Sequence, residues 1–184
     1  MRKLLVPAAV LTLMAPSLAL AQAAPGSVQG TVDVTGVVSS QCQISVSSAV
    51  INIPELSDVT GGATAGQLAP GTVNGQRATL AGFCIGAAST MQAQAFPIVS
   101  TGVGALPSGF TTRVDYTATA TVHPILGDIS ATGSSLSAAP GTPVTVGAFS
   151  SDIDVTLSNA SSNGAKLISG PYQGSVDVTL TPAS

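Results

Sequence analysis

The chain has very few charged residues. Five Lys or Arg, eight Asp or Glu and one His occur in 184 residues. Beyond the N-terminal leader described below, the only cations are Arg77, Arg113 and Lys166. Three scattered cations form no basic patch, which argues against binding to nucleic-acid phosphates and against attraction to anionic lipid.

The residues that enzymes use are also scarce. There is no Trp, and Glu55 is the only Glu, whereas glycosidases need paired carboxylates and aromatic side chains to hold sugar. Ser is abundant, but the Gly-x-Ser-x-Gly nucleophile pattern is absent and His123 is the only available imidazole. We therefore expect a protein that is not an enzyme and carries no cofactor.

A metal site is not expected either. His123 has no second His as a partner, and no Asp-x-Asp-x-Asp-Gly calcium loop surrounds Asp128, Asp152 or Asp154. Alternate Asp residues on a strand are typical of a solvated face.

Long apolar runs are limited to the N-terminus. Arg2 and Lys3 precede an apolar run over residues 4–20, and small residues follow at Ala21. This pattern predicts a secretory signal peptide over residues 1–21, cleaved after Ala21 or alternatively after Ala23. No later stretch reaches the ~20 apolar residues of a spanning helix, so we expect export without a retained membrane segment. The remaining chain of about 160 residues suits one domain.

Only two cysteines are present, Cys42 and Cys84. In an oxidising compartment their default state is one disulfide, with two free thiols as the alternative. Each cysteine shares its parity with apolar neighbours, Ile44 and Leu80 among them. The sequence therefore predicts a buried bridge across the core.

What the chain does contain is β-branched residues in period-two alternation. This alternation recurs through residues 28–46, 78–84, 90–99, 144–148, 153–157 and 176–180. We find no segment with a convincing helical period. The clearest strand covers residues 110–122, long enough to favour a bend or bulge. A short strand is predicted at Val50, Ile51 and Ile53, and loops over residues 57–76 and 128–139. Many short strands separated by turns predict one all-β sandwich domain.

Residues 30–42, GTVDVTGVVSSQC, resemble the start of bacterial chaperone–usher pilin subunits of the type 1-like fimbrial class. Those subunits carry an N-terminal extension of alternating apolar residues, then a Gly, then the first strand with its Cys. Val32 and Val34 match the alternating residues, Gly36 matches the Gly, and Cys42 matches the Cys. Cys84 lies about where the partner cysteine of such subunits lies.

Residues 169–181, SGPYQGSVDVTLT, resemble the closing strand of spore coat protein U-like secreted subunits. Gly170 and a C-terminal strand with Tyr172, Val176, Val178 and Leu180 occupy the matching positions. The two segments cover about a sixth of the exported chain. The chain ends Thr-Pro-Ala-Ser, whereas many pilins carry a Tyr one residue from the terminus.

The resemblance implies an immunoglobulin-like β-sandwich over residues 39–184 that lacks its last strand, preceded by an N-terminal extension over residues 22–38. Such subunits accept the extension of the next subunit as the missing strand. The implied donor strand consists of Val28, Gly30, Val32, Val34 and Gly36. The alternative is that residues 28–38 are simply the first strand of a complete sandwich.

The implied function is a structural subunit of a surface fibre, a fimbria or pilus, with a role in cell adhesion or biofilm. Its partners would be copies of itself in a head-to-tail polymer, with a periplasmic chaperone and an outer-membrane usher during export. The chain would pass through the periplasm to the cell surface or the extracellular space. The alternative is a secreted monomeric β-sandwich that binds a ligand or belongs to a matrix or coat.

Overall fold

The computed structural model describes residues 30–101, 104–137 and 139–183. The predicted signal peptide and Val28 lie outside these residues. The chain divides into two compact units, one ending at Val37 and one beginning at Val38. In the first unit, the described residues 30–37 form neither strand nor helix.

The unit that begins at Val38 is built almost entirely of strands, which confirms the all-β prediction. Its described residues form β1 (Cys42–Val46), α1 (Pro70–Val73), β2 (Arg77–Cys84), β3 (Thr90–Ser100), β4 (Phe110–Thr111), β5 (Arg113–Val122), β6 (Ile129–Ser134), β7 (Val144–Thr145), β8 (Phe149–Ser161), β9 (Lys166–Leu167) and β10 (Tyr172–Thr181).

Eight strands form one antiparallel sheet that curls until it is nearly closed. The strand order is β1-β2-β8-β5-β3-β10, with β6 on β5 and β7 on β3. The curl passes through β5, which pairs with β3 at Arg113 and Val114 and with β8 from Asp115 onward. The strands β4 and β9 form a separate parallel pair.

Alternation decides which side chains enter the core. Ala118, Ala120 and Val122 of β5 are buried, whereas the intervening Thr residues are half-buried on the other face. On β8, Ile153, Val155 and Leu157 are buried in the same way. The buried side chains form two clusters, one around Met91 and Ile153 and the other around Val114 and Tyr116.

One side of the curled sheet is closed by backbone contact. The Gly141 N–H donates to the Ala93 carbonyl at 2.9 Å, and the Gln92 side-chain amide donates to the Gly141 carbonyl at 2.7 Å. A side chain at Gly141 would collide with the Thr132 carbonyl, so only glycine allows this approach. The loop before β7 therefore ties β3 to the neighbourhood of β6.

The predicted strand at Val50, Ile51 and Ile53 is wrong, because residues 47–53 form no strand. Ile51 and Ile53 are nevertheless half-buried and pack against the second cluster. The apolar alternation of the sequence therefore predicted the burial of these two side chains correctly. A ladder also needs a neighbouring strand, and the described part of the chain supplies none here.

The loop predicted over residues 128–139 is also wrong, because Ile129–Ser134 form β6 against β5. Gly and Ser are half of the residues of this strand, so pairing with β5 contributes more to its strand state than intrinsic preference does. The bend expected within residues 110–122 is present. That stretch is split into β4 and β5, and the register of β5 against β8 shifts between Asp115 and Thr117.

Candidate functional site: an open apolar groove

The two ends of the strand order, β1 and β10, are not hydrogen-bonded to each other, and a groove of about 1280 Å³ runs beside β10. One wall is formed by residues 47–57 and the other by residues 167–179. Its floor is lined by Ala78, Leu80, Ile98, Tyr116, Val155 and Leu157. The groove therefore opens directly onto the two core clusters.

The wall at residues 167–179 contains most of strand β10, which is an edge of the sheet. Among the described residues, β10 forms a ladder only with β3. The predicted C-terminal strand residues Tyr172, Val176, Val178 and Leu180 all lie on β10, half-buried and packed against the clusters. An edge strand of ten residues leaves a row of backbone donors and acceptors without strand partners.

The wall at residues 47–57 is an extended segment whose side chains contact the core. Its residues 47–53 are not part of any strand. Ile51, Ile53 and Leu56 pack against the second cluster. Within the described residues, no backbone–backbone hydrogen bond involves residues 47–53. Residues 47–53 of this wall consequently have the side-chain contacts of a strand, whereas their backbone groups have no strand partner.

A bulge shapes the β10 wall. The register against β3 shifts between Gln173 and Ser175, and a Cβ at Gly174 would lie 2.8 Å from Ile98 Cγ1. The Tyr116 hydroxyl donates to the Ser175 carbonyl at 2.8 Å. Burial, assisted by the negative charge of Asp177, raises the pKa of Tyr116 to about 12. Tyr116 therefore stays a neutral donor that holds this bulge over the groove floor.

The predicted disulfide joins Cys42 to Cys84. The two residues lie directly opposite each other on the neighbouring strands β1 and β2. The expectation of a bridge across the core is thus wrong, because parity gives the face of a side chain but not the strand opposite it. The bond instead fixes β1 to β2 just before the chain enters the wall at residues 47–57.

The described part of the predicted donor, residues 30–36, belongs to no strand. Val32 is 85% exposed and Val34 is 92% exposed. A Cβ at Gly30 or at Gly36 would meet no atom within 4 Å. The described part of the extension thus has four exposed Val side chains, of which Val32 and Val34 are at alternate positions and Val37 and Val38 are adjacent, and this hydrophobic surface is unburied.

His123 has no second His as a partner in the sequence, but two carboxylates contact it in the structure. Its Nδ1 lies 2.7 Å from Asp128 Oδ1, and its Nε2 lies 3.2 Å from Asp154 Oδ2. Thr79 on β2 donates to the other oxygen of Asp154 at 3.0 Å. The register that sets Thr121 beside Asp154 brings these residues together, and spacing in the sequence could not have revealed it.

The hydrogen bonds that the His123 imidazolium donates to Asp128 and to Asp154 raise the pKa of His123 above its ordinary 6.5. The imidazolium form therefore stabilises the folded chain below pH 6.5, and this contribution is lost as the pH rises through the folded pKa. We expect an NMR titration of this single His to have a midpoint above 6.5. Asp128→Asn should lower that midpoint, whereas Asp152→Asn, which leaves both contacts intact, should not. Equal midpoints in the two variants would contradict the assignment.

Neither a metal-binding cluster nor a membrane-spanning helix occurs among the described residues. They hold no group of three or more His, Cys, Asp or Glu side chains arranged for a metal ion. They also include no helix with the length and apolar character needed to cross a bilayer. The chemistry that the groove offers is backbone hydrogen bonding along its walls and apolar contact along its floor.

This combination suits an extended peptide. Unpaired backbone groups on a wall can pair with any β-strand, and a floor of aliphatic side chains selects a strand with apolar residues at every second position.

Comparison of the chain with family models, with curated proteins and with solved structures found no significant match.

Proposed function

We propose that this protein is a structural fibre subunit whose sheet is completed by a strand from another copy. The observation that carries the proposal is the groove with an apolar floor between strand β10 on one side and residues 47–53 on the other, both without a strand partner facing the groove among the described residues. In this proposal the domain is an immunoglobulin-like sandwich that lacks one strand. An exposed edge of this kind is an aggregation hazard, and an added strand removes it.

The N-terminal extension is the proposed donor. Its described part carries Val32 and Val34 at alternate positions, and both side chains are exposed. Transfer of two Val side chains from water into the groove is favourable by about 1.5–3 kcal/mol each. Backbone hydrogen bonds to the walls add affinity without regard to side chain, and Gly30 and Gly36 let the strand pass close to them.

Donation from one copy to the next is a heterologous contact that does not close on itself, so it generates a linear fibre. The predicted leader directs such a subunit out of the cell, through the periplasm, to the cell surface or the extracellular space. A periplasmic chaperone that covers the open groove and an outer-membrane usher are the proposed partners in export. Adhesion or biofilm formation is the proposed role of the fibre.

The proposal can be tested by comparing substitutions at even-numbered and odd-numbered positions of the extension. We expect Val32→Asp/Val34→Asp to abolish assembly of the purified exported chain, because two carboxylates would face the apolar floor. Thr31→Asp/Thr35→Asp is the matched control, since it adds the same charges at positions of opposite parity. The measurement is gel filtration and electron microscopy, with SDS-resistant ladders on unheated gels.

Equal loss of assembly in both variants would show that charge alone is responsible and would contradict the donor assignment. A wild-type chain that stays monomeric at high concentration would instead favour the secreted monomeric β-sandwich.

A further inference from the structure

Two large aliphatic side chains protrude from the end of the hairpin formed by β5 and β6. Ile125 and Leu126 lie in the turn that joins these strands, and both are fully exposed. We call residues 124–127 the tip. Single exposed aliphatic residues are ordinary on protein surfaces, but two adjacent ones with no cover form a contact surface that favours burial.

The tip is held in a defined conformation. The Gly127 N–H donates to the Pro124 carbonyl at 3.1 Å, which closes the turn. Directly outside the turn, His123 and Asp128 are bonded to each other at 2.7 Å, and His123 reaches Asp154 on β8. The aliphatic pair is therefore presented on a fixed support, so its burial costs little further ordering of the backbone.

A complementary surface lies on the same unit. A depression of about 300 Å³, which we call the side pocket, is lined by residues 95–97, Arg113 and residues 135–137. Phe96 and Leu136 give it exposed apolar walls. The Arg113 guanidinium is held by Asp115 at 2.7 Å and by the Ser135 carbonyl at 2.9 Å, and its side chain is still 46% exposed. The carboxylates of Asp128 and Asp154 flank the tip, so the two surfaces differ in the sign of their exposed charge.

The tip and the side pocket lie at opposite ends of one hairpin. The pair Val122 and Ile129 adjoins the tip, whereas Thr117 and Ser134, at the far end of the ladder, adjoin the side pocket. Two surfaces at opposite ends of a rigid element cannot meet within one copy. Between copies they form a heterologous contact that propagates along the hairpin.

The start of β1 lies at the tip's end of the sheet. Val122 pairs with Ile153 on β8, and Phe149, which lies beyond Ile153 on β8, pairs with Cys84. Cys84 in turn pairs with Cys42, where β1 begins. The chain that leads from the N-terminal extension therefore joins the sheet at the end from which the tip projects.

We propose that the tip of one copy inserts into the side pocket of the next copy, as a second contact between successive subunits. The inference takes its head-to-tail direction from the proposed strand exchange. Ile125 and Leu126 would be covered by Phe96 and Leu136 of the neighbour, and the Arg113 rim would face the carboxylates beside the tip. This second contact would stiffen a fibre whose subunits are otherwise linked by one strand.

The test uses two variants of the exported chain that each add one free cysteine to the Cys42–Cys84 pair, Leu126→Cys and Leu136→Cys, mixed and oxidised under mild conditions. We expect a mixed disulfide dimer at least about tenfold more abundant than that from Val59→Cys with Leu136→Cys, since burial of one aliphatic side chain is worth that factor. Val59 is the matched control because it is exposed on another loop.

The Ile125→Ser/Leu126→Ser variant should give shorter polymers and unchanged uptake of a synthetic peptide of residues 26–38.

The outcomes separate this contact from strand exchange. A cross-link without SDS-resistant ladders would support the tip contact and contradict the proposed function. Ladders without the cross-link would overturn the tip contact alone, and so would an excess of Leu126→Cys homodimer, which indicates a symmetric tip-to-tip contact. Flotation with phosphatidylcholine vesicles that is lost in Ile125→Ser/Leu126→Ser, without the cross-link, would assign the tip to lipid and overturn the proposal.

Discussion

A chain that carries a second copy of residues 26–38 after its C-terminus is expected to be a monomer that melts about 10 °C above the unmodified chain at a concentration too low for that chain to assemble. Strand β10 ends at Thr181, at one end of the groove, so a short linker can return the added strand along the unpaired edge of β10. The added strand competes at high effective concentration with the extension of any other copy. Calorimetry and gel filtration measure the two effects.

The matched control is the same chain with Asp at the two added positions that correspond to Val32 and Val34. It should melt at the temperature of the unmodified chain and should still polymerise through its intact N-terminal extension. Equal melting temperatures for the two extended chains would mean that the added residues do not occupy the groove. The proposed function would then lose its main physical basis.

Loss of the disulfide should have the second largest effect. We expect Cys42→Ala/Cys84→Ala to lower the free energy of unfolding by about 2–4 kcal/mol, because the unfolded chain is no longer constrained across 42 residues of sequence. For a domain of this size, the melting temperature should fall by about 5–15 °C. Thermal unfolding followed by circular dichroism measures the change.

The reducing agent supplies the control for this prediction. Dithiothreitol should destabilise the wild-type chain by a similar amount and leave the double variant unchanged. The same double variant should also assemble less well, since the disulfide fixes β1 just ahead of the groove wall at residues 47–57. Equal stability of the wild-type chain and the variant would contradict the expected stabilisation by the bond through its constraint on the unfolded chain.

The groove could be anticipated from the sequence only in part. The alternation at Val176, Val178 and Leu180 indicated a strand with one apolar face, and β10 has that form. Nothing in this pattern indicates whether a strand has one neighbour or two, because pairing is a relation between distant segments. The same limit explains why the strand predicted at residues 50–53 is wrong, because the apolar alternation there has no partner strand among the described residues.

The contacts of polar side chains likewise depend on segments that are far apart in the sequence. His123 and Asp128 are close in sequence, but Asp154 joins them through the register of β8 against β5. Arg113 and Asp115 are two residues apart and share an ion pair, while the carbonyl that completes the guanidinium's contacts belongs to Ser135, beyond β6. Local spacing therefore supplied at most one partner for each group.

The sequence by itself determined the all-β class, the faces that most strands bury and the pairing of the two cysteines. Period-two alternation sorts side chains between core and solvent whatever the neighbouring strand is, and two cysteines in an oxidised chain have one possible intramolecular bond. Only the tertiary structure decided the strand order, the unpaired edge of β10 and the groove beside it. Those features depend on which strands lie side by side, and this is set by the summed packing of segments far apart in the chain.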